Sequence, residues 1–151
     1  MHIDIRDVSH DYQTKQGLLP VIKNLSISVK KGGFTAIVGP SGCGKSTITR
    51  LVSGLLKPSK GSIFISNEKV ISPLSTVGMA FQNPVLLEWR NVINNIILPL
   101  EIVSKNIKYN FKRERALELL KLVGLEEFEL NIPSELSGGM KQRVSLCRSL
   151  V

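Results

Sequence analysis

Apolar and polar residues alternate through the N-terminal part of the chain and then give way to helical spacing. Ile3 and Ile5, with Val8 less regularly, predict one strand, and Leu25, Ile27 and Val29 alternating with Ser26, Ser28 and Lys30 predict a second. Lys31, Gly32 and Gly33 turn the chain into FTAIVG at 34–39, a short, partly β-branched apolar run of the kind that forms a buried strand. Beyond it Ile48, Leu51, Val52 and Leu55 recur at i, i+3, i+4 and i+7, one face of a helix that Gly54 and Pro58 should close near Leu56. SIFI at 62–65 and KVI at 69–71 flank Ser66, Asn67 and Glu68 and predict a short hairpin. VGMAF at 77–81 predicts a further strand that runs into Gln82.

From Asn83 onward the spacing is helical. NVINNIILPL at 91–100 reads as a helix start, and residues 111–123 carry Ala116, Leu117, Leu119, Leu120 and Val123 on a stripe closed by Gly124. Met140, Val144, Cys147 and Val151 fall on one face of a last helix, for which Ser137 is a good N-cap. The expected organisation is a β-rich part, 1–83, followed by a helical part, 84–151, within one domain, since 151 residues suit one ordinary core.

The junction between the apolar run at 34–39 and the next helix carries the most specific string, GPSGCGKST at 39–47, which fits G-x-x-x-x-G-K-[ST] with Gly39, Gly44, Lys45 and Ser46 in place. Gly39, Gly42 and Gly44 let successive backbone N–H groups, with that of Ser41, turn toward one anion as the helix begins at Ser46 and Thr47. Lys45 can reach the outer phosphates of a nucleotide, and the Ser46 hydroxyl can ligate Mg²⁺. The alternative is a glycine-rich turn before an ordinary helix, but the strand before it and the helix after it are the context a phosphate cradle requires. Cys43 occupies a variable position in the loop and reads as a small filler.

Composition narrows the class. With 42% hydrophobic and 21% charged residues the chain reads as soluble and globular. The most apolar stretch, VINNIILPL, is far shorter than the roughly 20 residues of a spanning helix, and the N-terminus has no apolar core of a secretory signal. Cys43 and Cys147 offer no disulfide framework and fit a reducing compartment. The net charge of +8 raises a nucleic-acid partner, but the basic residues are scattered, and one Trp, two Tyr and five Phe are not interleaved with them to stack bases. The densest basic group, Lys105, Lys108, Lys112, Arg113 and Arg115, reads instead as a solvated helix face, and no nucleic acid is expected.

A second string, ELSGGMKQR at 135–143, presents Gly138 and Gly139 behind the Ser137 cap, another helix start suited to an anion. Together the two strings resemble the nucleotide-binding subunits of ABC transporters, whose signature is LSGGQ followed by QR; here Met140 replaces the commonest Gln. The resemblance runs from Ile3 to Val151 and implies an α/β P-loop NTPase, a RecA-like core with an N-terminal antiparallel β part, plus an α-helical subdomain. It implies ATP and Mg²⁺ as cofactors, Tyr12 stacked on adenine, and Gln82 as the Q-loop glutamine holding Mg²⁺ and the attacking water. Ser137, Gly138 and Gly139 would contact the nucleotide of a second ATP-binding subunit in a homodimer, and transmembrane permease subunits would bind the pair at the cytoplasmic face of the inner membrane. GMAFQNPVLLEW at 78–89 is similar to the importer ATPases of the nitrate, sulfonate and taurine group, with Glu88 for the usual proline; the transported solute stays open.

Asp4, Asp7 and Asp11 are the only aspartates, and all precede the P-loop, as do His2 and His10. The family's Walker B Asp, catalytic Glu and switch His follow the signature helix, so the expectation is a chain truncated before the Walker B strand, with no appreciable MgATP turnover of its own. Two readings stay open: the energy-coupling ATPase of an importer represented by its N-terminal portion, and a truncated or degenerate, non-hydrolysing fragment. A P-loop kinase or GTPase would lack LSGGMKQR and Gln82 in register.

Overall fold

The structure, a computed structural model, describes residues 3–104 and 106–151. Its contacts divide the chain into two compact units, Met1–Val77 and Gly78–Val151.

The first unit is built on a four-stranded antiparallel sheet, order β2-β1-β3-β4, from β1 (Ile3–Thr14), β2 (Gly17–Val29), β3 (Lys60–Ile65) and β4 (Glu68–Lys69). β1 and β2 form a long hairpin that closes at the Thr14 and Gly17 pair, well beyond the short strands that periodicity predicts. The register slips between Ile5 and Val8, where Asp7 takes φ 47°. There the Asp7 N–H donates to Ser26 Oγ at 2.9 Å, and that hydroxyl donates to Asp7 Oδ1 at 3.1 Å, so side chains satisfy what the ladder leaves open. The β3–β4 hairpin turns through Ser66 and Asn67, both at positive φ, as a tight two-residue turn requires. Ile5, Val8, Ile22, Ile63, Ile65 and Val70 pack with Ile48 and Leu51 of helix α1 (Lys45–Val52) to make this unit's core.

Two expected strands are not strands. Residues 34–39 and 77–81 have strand composition but no ladder partner among the described residues, and Phe34 and Val38 are 95% and 87% exposed. Strands of this apolar, β-branched kind are held by neighbours on both edges, and composition cannot supply the neighbours. Helix α1 stops at Val52, short of Leu56, because Gly54 turns the chain at φ +77°; Leu55 is left exposed.

The second unit is helical, with α2 (Val92–Val103), α3 (Tyr109–Leu122), two short 3₁₀ turns at Glu126–Phe128 and Pro133–Glu135, and α4 (Gly138–Leu150). Asn91 caps α2, its side chain accepting from Asn94 N–H at 3.0 Å. Two further N–H groups at that end donate to the segment after α3: Val92 to Asn131 O at 2.8 Å and Ile93 to Glu129 O at 3.0 Å. Val92, Ile93, Ile96 and Ile97 meet Ala116, Leu119 and Leu120 of α3 and Val144 and Cys147 of α4 in one core. The stripe expected on α3 is therefore its buried face. The basic group beside it is not wholly solvated: Lys112 is buried, as the apolar stem of lysine permits, and Arg113 holds both carboxylate oxygens of Glu129 at 2.8 Å. Lys105 lies outside the described residues.

Candidate functional site

The loop at 39–47 and Tyr12 belong to the first unit; Gln82, Ser137, Gly138 and Gly139 belong to the second.

In the first unit the loop feeds α1 through Gly44, the N-cap residue, which sits at φ 96°. A Cβ there would press on the side chains of Ile22 and Val21 at 2.8 and 3.1 Å, so glycine is required twice over, for conformation and for space. No side chain caps α1, and the first intrahelical bond is donated by Ile48 N–H to Gly44 O. The N–H groups of Lys45, Ser46 and Thr47 thus have no backbone acceptor among the described residues, and they lie at the positive end of the helix dipole. Lys45 folds back over the loop. Its ammonium donates to Gly39 O at 2.9 Å and to Pro40 O at 2.6 Å, so a full positive charge joins those N–H groups in one concentrated anion-binding arrangement. Ser41, Gly42 and Ser46 are exposed beside it.

Tyr12 lies on β1, and its hydroxyl is 3.3 Å from Thr47 Oγ1, which brings this aromatic ring to the helix that the loop opens. Thr47 itself is buried. His10, two residues earlier on the same strand, packs edge-on against Tyr12 with ring centroids 4.8 Å apart, and its Nδ1 donates to Lys57 O at 3.0 Å. Sequence reasoning left His10 unassigned, although i and i+2 on one strand share a face.

In the second unit Ser137 caps α4, accepting from Met140 N–H at 3.3 Å, and Gly138 and Gly139 are exposed at its first turn. Gln82 is exposed on a loop, and its carbonyl accepts a hydrogen bond from Gln142 Nε2 of α4. Arg148, farther along α4, donates to Val85 O at 2.6 Å. Partial burial lowers the Arg148 pKa from its ordinary value, yet a guanidinium stays charged across the accessible range. The same loop is held at its far end by Asn95, a fully buried residue of α2. Neither Asn95 nor Arg148 stands out in the sequence, because hydrogen bonds from helix side chains to loop backbone have no residue-spacing signature.

The chain as a whole has counterparts among known proteins. The family model described as ABC transporter matches residues 22–151. The chain is 42% identical to the methionine import ATP-binding protein MetN of Bacillus subtilis over 98% of its length and 45% of the relative. It is 39% identical to the nitrate import ATP-binding protein NrtD of a Synechocystis strain over 99% of its length and 56% of the relative. The aliphatic sulfonates import ATP-binding protein SsuB of Bacillus thuringiensis is 36% identical over 100% of this chain and 58% of its own. The chain thus spans about half the length of the curated relatives it matches. Among solved structures, the dimeric post-hydrolysis state of the ATP-binding cassette MJ0796 bound to ADP and Pi superposes with a TM-score of 0.89 at 32% identity, covering 98% of this chain and 68% of the other.

Proposed function

Because this chain belongs to the ABC transporter family, and its fold is that of a P-loop ATP-binding cassette, we propose that it binds ATP as the energy-coupling part of an importer for a small solute. The observation that carries the reading is the Lys45 ammonium held over the loop beside helix N–H groups that have no backbone acceptor. A polyphosphate is the ligand such an array suits: the N–H groups neutralise its charge along the loop and the ammonium neutralises it from above. The exposed Ser46 hydroxyl fits the oxygen-donor chemistry of Mg²⁺, and the amide oxygen of the exposed Gln82 is a donor of the same kind. When bound, that ion draws charge from the phosphate oxygens.

Tyr12 is read as the base platform, because its ring lies at Thr47 of the same helix. Ser137, Gly138 and Gly139 are read as the anion site offered to a second copy, since their helix start is capped from one side by Ser137 and open at both glycines. The dimeric state of the MJ0796 cassette supports that arrangement, and relatives named for sulfonate, nitrate and methionine import support a transmembrane permease as the other partner. No helix among the described residues is long and apolar enough to cross a membrane; the relatives' names as import ATP-binding proteins are what support a peripheral subunit at the cytoplasmic face. The three relatives carry different solutes in their names, so the reading stops at a small solute, of which a nitrate, sulfonate or taurine type is one.

Titration of the purified chain with a fluorescent ATP analogue in Mg²⁺ tests the reading. Lys45→Ala should weaken binding about tenfold or more, the loss of charge-assisted hydrogen bonds. Equal affinity for both proteins would overturn it.

A further inference from the structure

The loop that carries Gln82 does not hold itself. Among the described residues no backbone–backbone hydrogen bond reaches residues 78–86, so the backbone conformation there is set by what other elements donate. Three contacts from α4 meet it. Gln142 Nε2 donates to Gln82 O, Arg148 donates to Val85 O at 2.6 Å, and Gly78 lies so close to the Ser149 carbonyl that a Cβ would collide with it. The two donors are six residues apart on the helix, about 9 Å of rise, and their acceptors are three residues apart on a chain that spans at most about 11 Å over that distance. One straight helix therefore grips the loop at two separated points, which fixes orientation as well as position. At the N-terminus of that same helix stands Ser137.

We propose that Gln142 and Arg148 are positioning residues that latch the Gln82 loop to the helix of Ser137, so that a displacement of either is a displacement of both. The inference rests on the reading of Gln82 as a nucleotide-site residue for its functional meaning, though the latch itself is a property of this unit alone. A single exposed hydrogen bond is a weak constraint; two on one rigid element are a stronger one, because loss of the first does not release the second. The latch also predicts which substitutions matter. Gln142→Glu keeps the size of the side chain but turns a donor into an acceptor facing a carbonyl, whereas Arg148→Lys keeps a donor.

Two readouts test it on the full chain. Limited chymotrypsin digestion, resolved by mass spectrometry, gives the rate of cleavage after Phe81 in the loop, with cleavage after the exposed Phe34 of the other unit as an internal control. Gln142→Glu and Arg148→Ala should each speed cleavage after Phe81 about threefold to tenfold, the value of one hydrogen bond, with the Phe34 rate unchanged and Arg148→Lys near the parent rate. Parent rates in both Gln142→Glu and Arg148→Ala, or no rescue by Arg148→Lys, would overturn the latch. The second readout is emission from Trp89, the only tryptophan, which follows Gln82 on the same segment and is largely exposed. Addition of MgATP should shift it in the parent chain and leave it unshifted in the Gln142→Glu, Arg148→Ala double variant at equal nucleotide occupancy; an undiminished shift there overturns the coupling. A parent chain that binds MgATP with no change in Trp89 counts against the Gln82 reading, and the cleavage rates still decide the latch.

Discussion

Asn95 holds Leu87 from both sides of its backbone: Oδ1 accepts the Leu87 N–H at 2.8 Å while Nδ2 donates to the Leu87 carbonyl at 3.1 Å. The same Nδ2 reaches Arg90 O at 2.9 Å and Asn91 O at 3.1 Å, so one buried amide closes the segment that leads from Gln82 into α2.

Removing that amide should be costly. Asn95→Ala takes the partner from the Leu87 N–H and from the Arg90 carbonyl, while the Leu87 carbonyl keeps the Arg90 N–H, an expected loss of about 2–3 kcal/mol by urea denaturation. Asn91→Ala, which loses only a cap at the same helix end, should cost about 1 kcal/mol. Equal values for the two would mean that water replaces the Asn95 contacts without penalty.

Tyr12 allows its ring and its hydroxyl to be separated. Tyr12→Phe deletes only the contact with Thr47 and should lower affinity for a fluorescent ATP analogue less than threefold, about the value of one exposed hydrogen bond. Tyr12→Ala should lower it about tenfold, the worth of one stacked base. If the two variants bind alike, the ring is not a base platform.

Gly54 ends α1 at φ +77°, and a Cβ there would lie inside the Ser72 and Pro73 backbone. Gly54→Ala combines left-handed strain with a clash against atoms that cannot rotate away, and should cost about 2–4 kcal/mol of stability, read as a lower urea midpoint. A midpoint within error of the parent value would show that the 52–54 and 72–73 segments separate easily.

Elements that depend on near neighbours were readable in advance: the buried stripe of α3, the Ser137 cap of α4 and the turn through Ser66 and Asn67 follow from spacing and turn chemistry. Residues 34–39 and 77–81 were misread as strands because β pairing is settled by partners remote in sequence. The turn geometry of the loop at 39–47 was legible in its glycines, which answer to backbone conformation, as Gly44 at φ 96° illustrates. The anchoring of Lys45 on Gly39 and Pro40, and the grip of Gln142 and Arg148 on the loop, were not, because a long side chain can reach many carbonyls and only the fold selects one.

The two cysteines should react at very different rates with a thiol reagent. Cys43 is exposed on the P-loop, whereas Cys147 is buried against α3, where its thiol donates to Leu119 O at 3.5 Å. Burial raises the Cys147 pKa above 9.0, a hydrogen bond from its own backbone N–H opposing that only in part. A raised thiol pKa means that the unfolded chain loses its proton first, so the contribution to stability is complete below pH 9.0 and declines as pH rises through the folded value. One equivalent of label at pH 8, and a second only in denaturant, is the expected count; two fast equivalents in native buffer would show that the α3–α4 seam opens readily.

The backbone of residues 34–38, which has no ladder partner among the described residues, also bears on how this polypeptide should behave at high concentration. An apolar stretch with free N–H and C=O groups is a template for the same stretch in another molecule, and that self-recognition needs no complementary surface. Phe34 and Val38 supply the side-chain contacts that such a pairing rewards. A single lysine at position 34 or 38 should therefore raise the solubility of the isolated chain while leaving the residues of the loop at 39–47 in place.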